Sequence, residues 1–469
     1  MKSILKLKSL VYLVSIIFIS SCSNDDNNGP VTGPADGMPD VEMSDIADLA
    51  IATDDLTSLV AALTRAELVD TVKGTGPFTV FAPTNDAFAT FLDENGFATL
   101  EDVPVDVLEQ VLLNHVVAGK NLSSALTTTY ISSSSTAGVD GKALSLFVDT
   151  SSGVKINGAT VSTADVEASN GVVHIVDKVI GLPTIVDHAI NNPALSELVG
   201  ALTADGNTTF TDLLSDAEGK FTVLAPVNDG FAAFMNPNSS DINNVLSNHV
   251  IAGAALAAAD LSNSYANTAA KNSDDDALSI YINTDDGVKF NGASAVAIAD
   301  IVATNGIVHA VDQVIDLPTV VTFAVADPNF STLVEALTTL TPSVDFVSVL
   351  SSQGGAGSDP FTVFAPTNDA FSALAAIPDE AGLIPVLQHH VIGGANIRSG
   401  DLTPDGTTTT PATLEGDSFT ITLPGTDGNI ANVVDGANND GIGIDVVDVQ
   451  AVNGVIHVLD KVLIPNTSN

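Results

Sequence analysis

The chain has a single cysteine, no tryptophan and only 14 lysines and arginines among 469 residues. With Cys22 alone, no disulfide can form within the chain, so stability must come from packing. Against 57 Asp and Glu those few cations leave a formal net charge of −43. No basic patch exists to neutralise phosphates, which excludes nucleic acid as a partner. Such a surface repels anionic lipid and favours cations and solubility. Aromatics make up 5% of the chain, which weakens stacking as a way of holding sugars. There is no H-E-x-x-H, and Gly416-Asp417-Ser418 lacks the closing glycine of a nucleophile elbow. Gly354-Gly355-Ala356-Gly357 is not placed between a strand and a helix, so it reads as a loop rather than a phosphate cradle. The chain is expected not to be an enzyme.

What is present begins with a targeting segment. Lys2, Lys6 and Lys8 precede a short apolar run, Leu10 to Ile19, too short to span a bilayer. Ile19-Ser20-Ser21-Cys22 resembles the lipobox of bacterial lipoproteins, which implies a signal peptide at 1–21 and a lipid on Cys22. Residues 22–42 are rich in Asn, Asp, Gly and Pro and read as a flexible acidic tether. The Ser23-Asn24-Asp25-Asp26 stretch is similar to surface-export signals of some Gram-negative lipoproteins. The expected location is therefore the cell envelope, as an outer-membrane lipoprotein exposed at the surface, with the lipid as its membrane partner.

One eleven-residue string organises the rest. F-T-V-F-A-P-T-N-D-A-F starts at Phe78 and returns at Phe361; F-T-V-L-A-P-V-N-D-G-F starts at Phe221. A spacing of roughly 140 residues is that of whole domains, since solenoid repeats have periods of about 20–50. The boundaries fall at 43–183, 184–318 and 319–465. Each repeat is expected to open with an amphipathic helix, on Leu56, Leu59, Val60 and Leu63 in the first. A buried strand at Phe78–Ala82 follows, stopped by Pro83, and then a helix capped by Thr84, Asn85 and Asp86. A third helix runs into His115, His249 or His390. The second half alternates like β-structure and closes on N-G-V-V-H-I-V-D-K-V-I from Asn170, with counterparts from Asn305 and Asn453. Thr403–Pro411 and Pro424–Gly443 read as polar loops peculiar to the third repeat. Linkers are very short, so neighbouring domains should touch.

Those two strings resemble the signature blocks of the fasciclin domain family, three times over and in the right order. The resemblance implies an α+β fold, each domain a twisted β-sandwich or wedge with helices packed along it. It also implies adhesion or matrix association without a cofactor. Animal relatives carry a Tyr-His pair implicated in integrin binding at the end of the third helix. The matching positions here are Asn114 and His115, Asn248 and His249, and His389 and His390, so the tyrosine is absent. No Arg-Gly-Asp occurs; Arg398-Ser399-Gly400-Asp401 has the letters in another order. The six residues are the partner-binding candidates that the resemblance offers, for an unidentified protein or glycan.

The residues themselves favour a plainer account of the histidines. His115, His249 and His390 sit on an apolar helical stripe, and His174, His309 and His457 inside an apolar strand, so buried, satisfied side chains are expected. His188 reads as a surface helix residue. No metal site is expected: Asp435–Gly441 fails the register of a calcium loop, which would put Gly436 at the first ligand position and Val447 at the twelfth. Adhesion or matrix association is the leading function. A polysaccharide- or solute-binding part of an uptake system, or a structural spacer, are the alternatives.

Overall fold

The structure is a computed structural model that describes residues 43–204, 208–216, 218–353 and 360–466. The signal segment, Cys22, the tether and the glycine run at 354–357 lie outside the described residues. Residues from Met43 onward form one compact unit, and no described helix is long and apolar enough to cross a membrane.

Three seven-stranded sheets follow one another, all with the same strand order. In the first, β1 is Phe78–Pro83, β2 Val116–Ala118, β3 Thr129–Ser132, β4 Ser145–Asp149, β5 Lys155–Ile156, β6 Ala159–Ala168 and β7 Gly171–Val176. Across the sheet the order is β2-β1-β7-β6-β5-β4-β3, with β1 and β7 parallel. Period-two alternation splits the opening string between two cores. Val80 and Ala82 face the helices, among Leu59, Leu63, Leu108 and Leu112. Phe81 points the other way and joins Leu146, Val148 and Ile156 from the far wing of the same sheet. The wings can meet because β6 loses register with β7 twice between Val161 and Val166, where Asp165 stands at φ 61°. This is the α+β wedge that the resemblance implied. Gly171 stands where β7 passes β1: a Cβ there would lie 2.0 Å from the Phe78 carbonyl oxygen, and Gly454 meets Phe361 in the same way at 2.1 Å.

Two details differ from the sequence reading. Each unit opens with an additional short helix, Ile46–Ile51, Ile185–Asn191 or Val320–Ala326, ahead of the amphipathic one. Six or seven residues are too few for a periodic stripe to declare itself. The stretches read as loops in the third repeat contain strands, Gly406–Thr409 and Ala431–Val434, which pair as β3 and β5 do. Their threonines, glycines and asparagines disguise them.

Neighbouring units do touch, and both junctions are built alike. Tyr130 on β3 packs beside Phe147 at 5.0 Å and meets the His188 ring of the next unit edge-on at 5.6 Å. Tyr265 does the same between Tyr281, at 4.9 Å, and Phe323 of the third unit, at 5.6 Å. Each phenol oxygen bonds the residue that caps the following turn. Asn192 donates to Tyr130 at 3.3 Å, and Tyr265 donates to Asp327 at 2.9 Å. Burial and that carboxylate push the Tyr265 phenol far up, whereas burial takes Tyr130 to about 12. Ser145 and Ser279 each accept a backbone N–H from the next unit, of Val302 and Gln450, at 2.9 Å. His188 is thus a buried junction residue, 1% exposed, and not a surface one.

Candidate functional site

The α-helix that runs into the repeated histidine in each unit, Val105–Asn114, Ile242–Ser247 or Glu380–His389, delivers that side chain to the core at or just past its end. Helical ends leave carbonyls without partners, and the imidazole takes one of them. His115 Nδ1 lies 2.7 Å from the Val111 carbonyl, and Nε2 accepts the Ile180 N–H at 2.9 Å. Because Nε2 accepts, the proton sits on Nδ1 and the ring is neutral. His249 is held in the same way by Val245 and Ile315, and His390 by Val386 and Leu463. Burial lowers all three to about 4, against the weaker opposing pull of the carbonyl bond.

The second class uses the other tautomer. His174 Nε2 donates to the Asn121 carbonyl at 2.9 Å, while Nδ1 accepts the Asp165 N–H at 3.2 Å. His309 repeats this with Leu256 and Asp300. His457 keeps only the donated bond, to Ile397, and its Nδ1 has no partner. Phe81 and Phe364 stack on the first and third of these rings. Both classes are therefore core histidines with their bonds assigned.

The residues before the first class are equally enclosed. Asn114 donates to the Gly181 carbonyl at 2.8 Å, and Asn248 to that of Asp316 at 3.1 Å. His389 replaces the asparagine in the third unit. Its Nδ1 faces Glu415 at 3.3 Å, and its Nε2 accepts from Gly436 N at 3.3 Å. Burial lowers its pKa, with Glu415 pulling the other way. Asn114, His115, Asn248, His249, His389 and His390 are each at most 2% exposed. A partner cannot touch these six side chains directly; what they do is hold backbone. The resemblance located them by motif position, and position carries no information about exposure.

Asparagines of the two strings do more than turn the chain. Asn170 accepts the Ile46 N–H at 3.0 Å and donates to the carbonyls of Val72 and Gly74 at 2.8 and 2.9 Å. It thus ties the start of the first helix to the end of the helical layer and to β7. Asn305 and Asn453 make the same three bonds. Asn85 accepts from Ser58 N at 2.8 Å and donates to the Asp54 carbonyl at 3.0 Å, which fixes the second helix instead of capping its own. The cap there is Thr84, which accepts from Ala87 N at 3.2 Å. Recurrence of asparagine in all three copies, where aspartate would serve a turn equally well, was the available signal.

Buried Thr79 holds the turn that follows the histidine. It donates to the Gly119 carbonyl at 2.7 Å and accepts from Asn121 N at 2.9 Å. Thr222 and Thr362 repeat this on Ala254 and Leu256 and on Ala395 and Ile397. Gly119, Gly253 and Gly394, at φ 92°, 84° and 75°, make the turn possible. Beside it Ala118, Ala252, Gly253 and Gly394 are exposed. Among the described residues no group of three His, Cys, Asp or Glu is placed to hold a metal. Asp435, within the would-be calcium loop, is 4% exposed and spends its carboxylate on Asn439 and Ile464.

The family model of the fasciclin domain matches residues 54–183, 193–318 and 328–465. Protein sll1483 of Synechocystis sp. is 38% identical over 170 residues, 32% of this chain and 91% of that one. Human periostin is 25% identical over 445 residues, which cover 90% of this chain and 47% of periostin. Among solved structures, the FAS1 domain pair of the insect cell adhesion molecule fasciclin I shares 21% identity at a TM-score of 0.37, over 56% of this chain and 96% of that one. That overlap is loose, and the assignment rests on the family model.

Proposed function

Since the chain belongs to the fasciclin domain family, we propose that it serves adhesion or matrix association at the cell envelope, tethered by a lipid on Cys22. The observation that carries this reading is the repeated junction. Tyr130 and Tyr265 dock successive units at equivalent positions, so the three units form a connected array suited to display. The signature side chains are spent inside each unit, which assigns ligand contact to exposed chain between them. The turn after each core histidine of the first class, at Ala118-Gly119, Ala252-Gly253 and Gly393-Gly394, is the candidate surface. The buried Asn-His or His-His pairs act beneath it as positioning residues. A surface so rich in carboxylates suits a neutral or cationic matrix component better than an anionic one.

The test is binding of the protein without its lipid to whole cells, to matrix preparations and to a glycan array. Adhesion predicts saturable binding to cells or matrix that weakens when the three turns are replaced by longer uncharged Gly-Ser loops. Glycan-specific binding without cell or matrix binding would overturn the reading in favour of solute capture.

A further inference from the structure

The helices covering the parallel strand pair leave a slot in each unit, lined by corresponding positions but unequally filled. In the first unit, among Ile46, Leu59, Leu63 and Val80, about 20 Å³ remains. In the second unit the volume is about 60 Å³. In the third it is about 280 Å³, between Val321 and Val325 on the first helix, Leu337 on the second and Val347 on the next, over a floor of Val363 and Ile456. One contributor is legible in the sequence: Val320 stands where the other units hold Ile46 and Ile185.

Three properties of the third slot restrict its occupant. Thr338 is the one polar side chain in its lining, and its hydroxyl already donates to the Val334 carbonyl at 2.7 Å, so no charged group within can balance a buried charge. Its volume of about 280 Å³ is nearly twice the about 150 Å³ of an apolar cavity that stays dry and takes up benzene. Its mouth is open and apolar: Val325 is 68% exposed and Val347 40%. A chain can therefore lie in the slot while its polar end stays in water. A fatty carboxylate would meet a protein of net charge −43.

We infer that the slot of the third unit binds a single uncharged alkyl chain. This rests on the cavity alone and is independent of the adhesion reading.

The probe is 1-decanol, titrated into the full chain and followed by NMR of 13C-labelled valine, leucine and isoleucine methyls. Saturable shifts are expected at Val325, Leu337 and Val347, and none at Ile190 or Leu202 of the second unit. Ala324→Phe fills the half-open mouth and should abolish the shifts while the melting temperature is kept or raised. Val334→Phe, on the facing helix, is the second variant should the first fail to fold. Ala189→Phe, the same change in the second unit, should leave decanol binding intact. The inference is overturned if no saturable shift appears up to the solubility of decanol, or if all three units respond equally. It is also overturned if folded Ala324→Phe or Val334→Phe binds like the parent, or if decanoate binds as tightly as decanol.

Discussion

Acidification from pH 7 to 5 should weaken the second unit about twice as much as the first. Burial holds His115 at about 4 in the first unit, and both His188 and His249 at about 4 in the second. An exposed histidine in the unfolded chain titrates near about 6.5. With the folded value the lower of the two, the fold favours the neutral ring. The stability is fully present above about 6.5 and is lost as pH falls towards 4, because the unfolded chain takes up the proton first. Each such histidine contributes a slope of about 1.4 kcal/mol per pH unit within that window, or about 2 kcal/mol between pH 7 and 5. The first unit should lose about 2 kcal/mol and the second about 4, a large share of a typical domain's 5–15. His309, also lowered by burial, adds to the loss in the second unit. In the first unit Asp149 and Asp165 are held below their ordinary value by serine hydrogen bonds and so act only at lower pH. Relief of acidic self-repulsion works in the opposite direction, also mainly below pH 5. Hydrogen exchange read by mass spectrometry, corrected for its intrinsic pH dependence, reports each unit separately. Equal losses in the two units, or none in either, would refute the assignment of neutral, buried rings.

Two substitutions probe the scaffold. Asn170→Ala removes three hydrogen bonds and leaves the Ile46 N–H and two carbonyls to find other partners, so a loss of about 3 kcal/mol or more is expected; a urea midpoint equivalent to less than about 1 kcal/mol would mean that the staple is idle. Tyr265→Phe leaves Asp327, 4% exposed, without its phenol partner and should cost about 1–3 kcal/mol at the second junction. Faster exchange in the first helix of the third unit, with the first unit unchanged, is the expected signature; uniform change along the chain would contradict a local junction.

Much of the fold was legible because it rests on periodicity. Val80 and Ala82 against Phe81 is a two-residue alternation, and Leu108, Val111 and Leu112 a helical one; both come from burial, and burial is what the structure shows. The site was less legible because the asparagines and threonines recur within the repeated strings without showing what they hold. Their partners are backbone groups distant in sequence, such as Val72 and Gly74 for Asn170, and no local pattern reveals those. His188 misled for a related reason. Its position is held by Leu49 in the first unit and Phe323 in the third, and that apolar series pointed inward more reliably than the residue itself.

What the copies share and where they part lead to different conclusions. The shared polar residues are at most 9% exposed at Asn170, Asn305, Asn453, Thr79, Thr222 and Thr362, and their hydrogen bonds hold backbone. Selection for the fold alone accounts for them. The departures lie elsewhere and cluster in the third unit. His389 with Glu415 replaces a buried asparagine, and the slot over Val363 stands open. On the edge strand, Thr407 bonds Thr422 at 2.9 Å where the other units pair Tyr130 with Phe147 and Tyr265 with Tyr281. If the three units differ in what they bind, the third is where the difference should be sought, and the repeated strings are the wrong place to look.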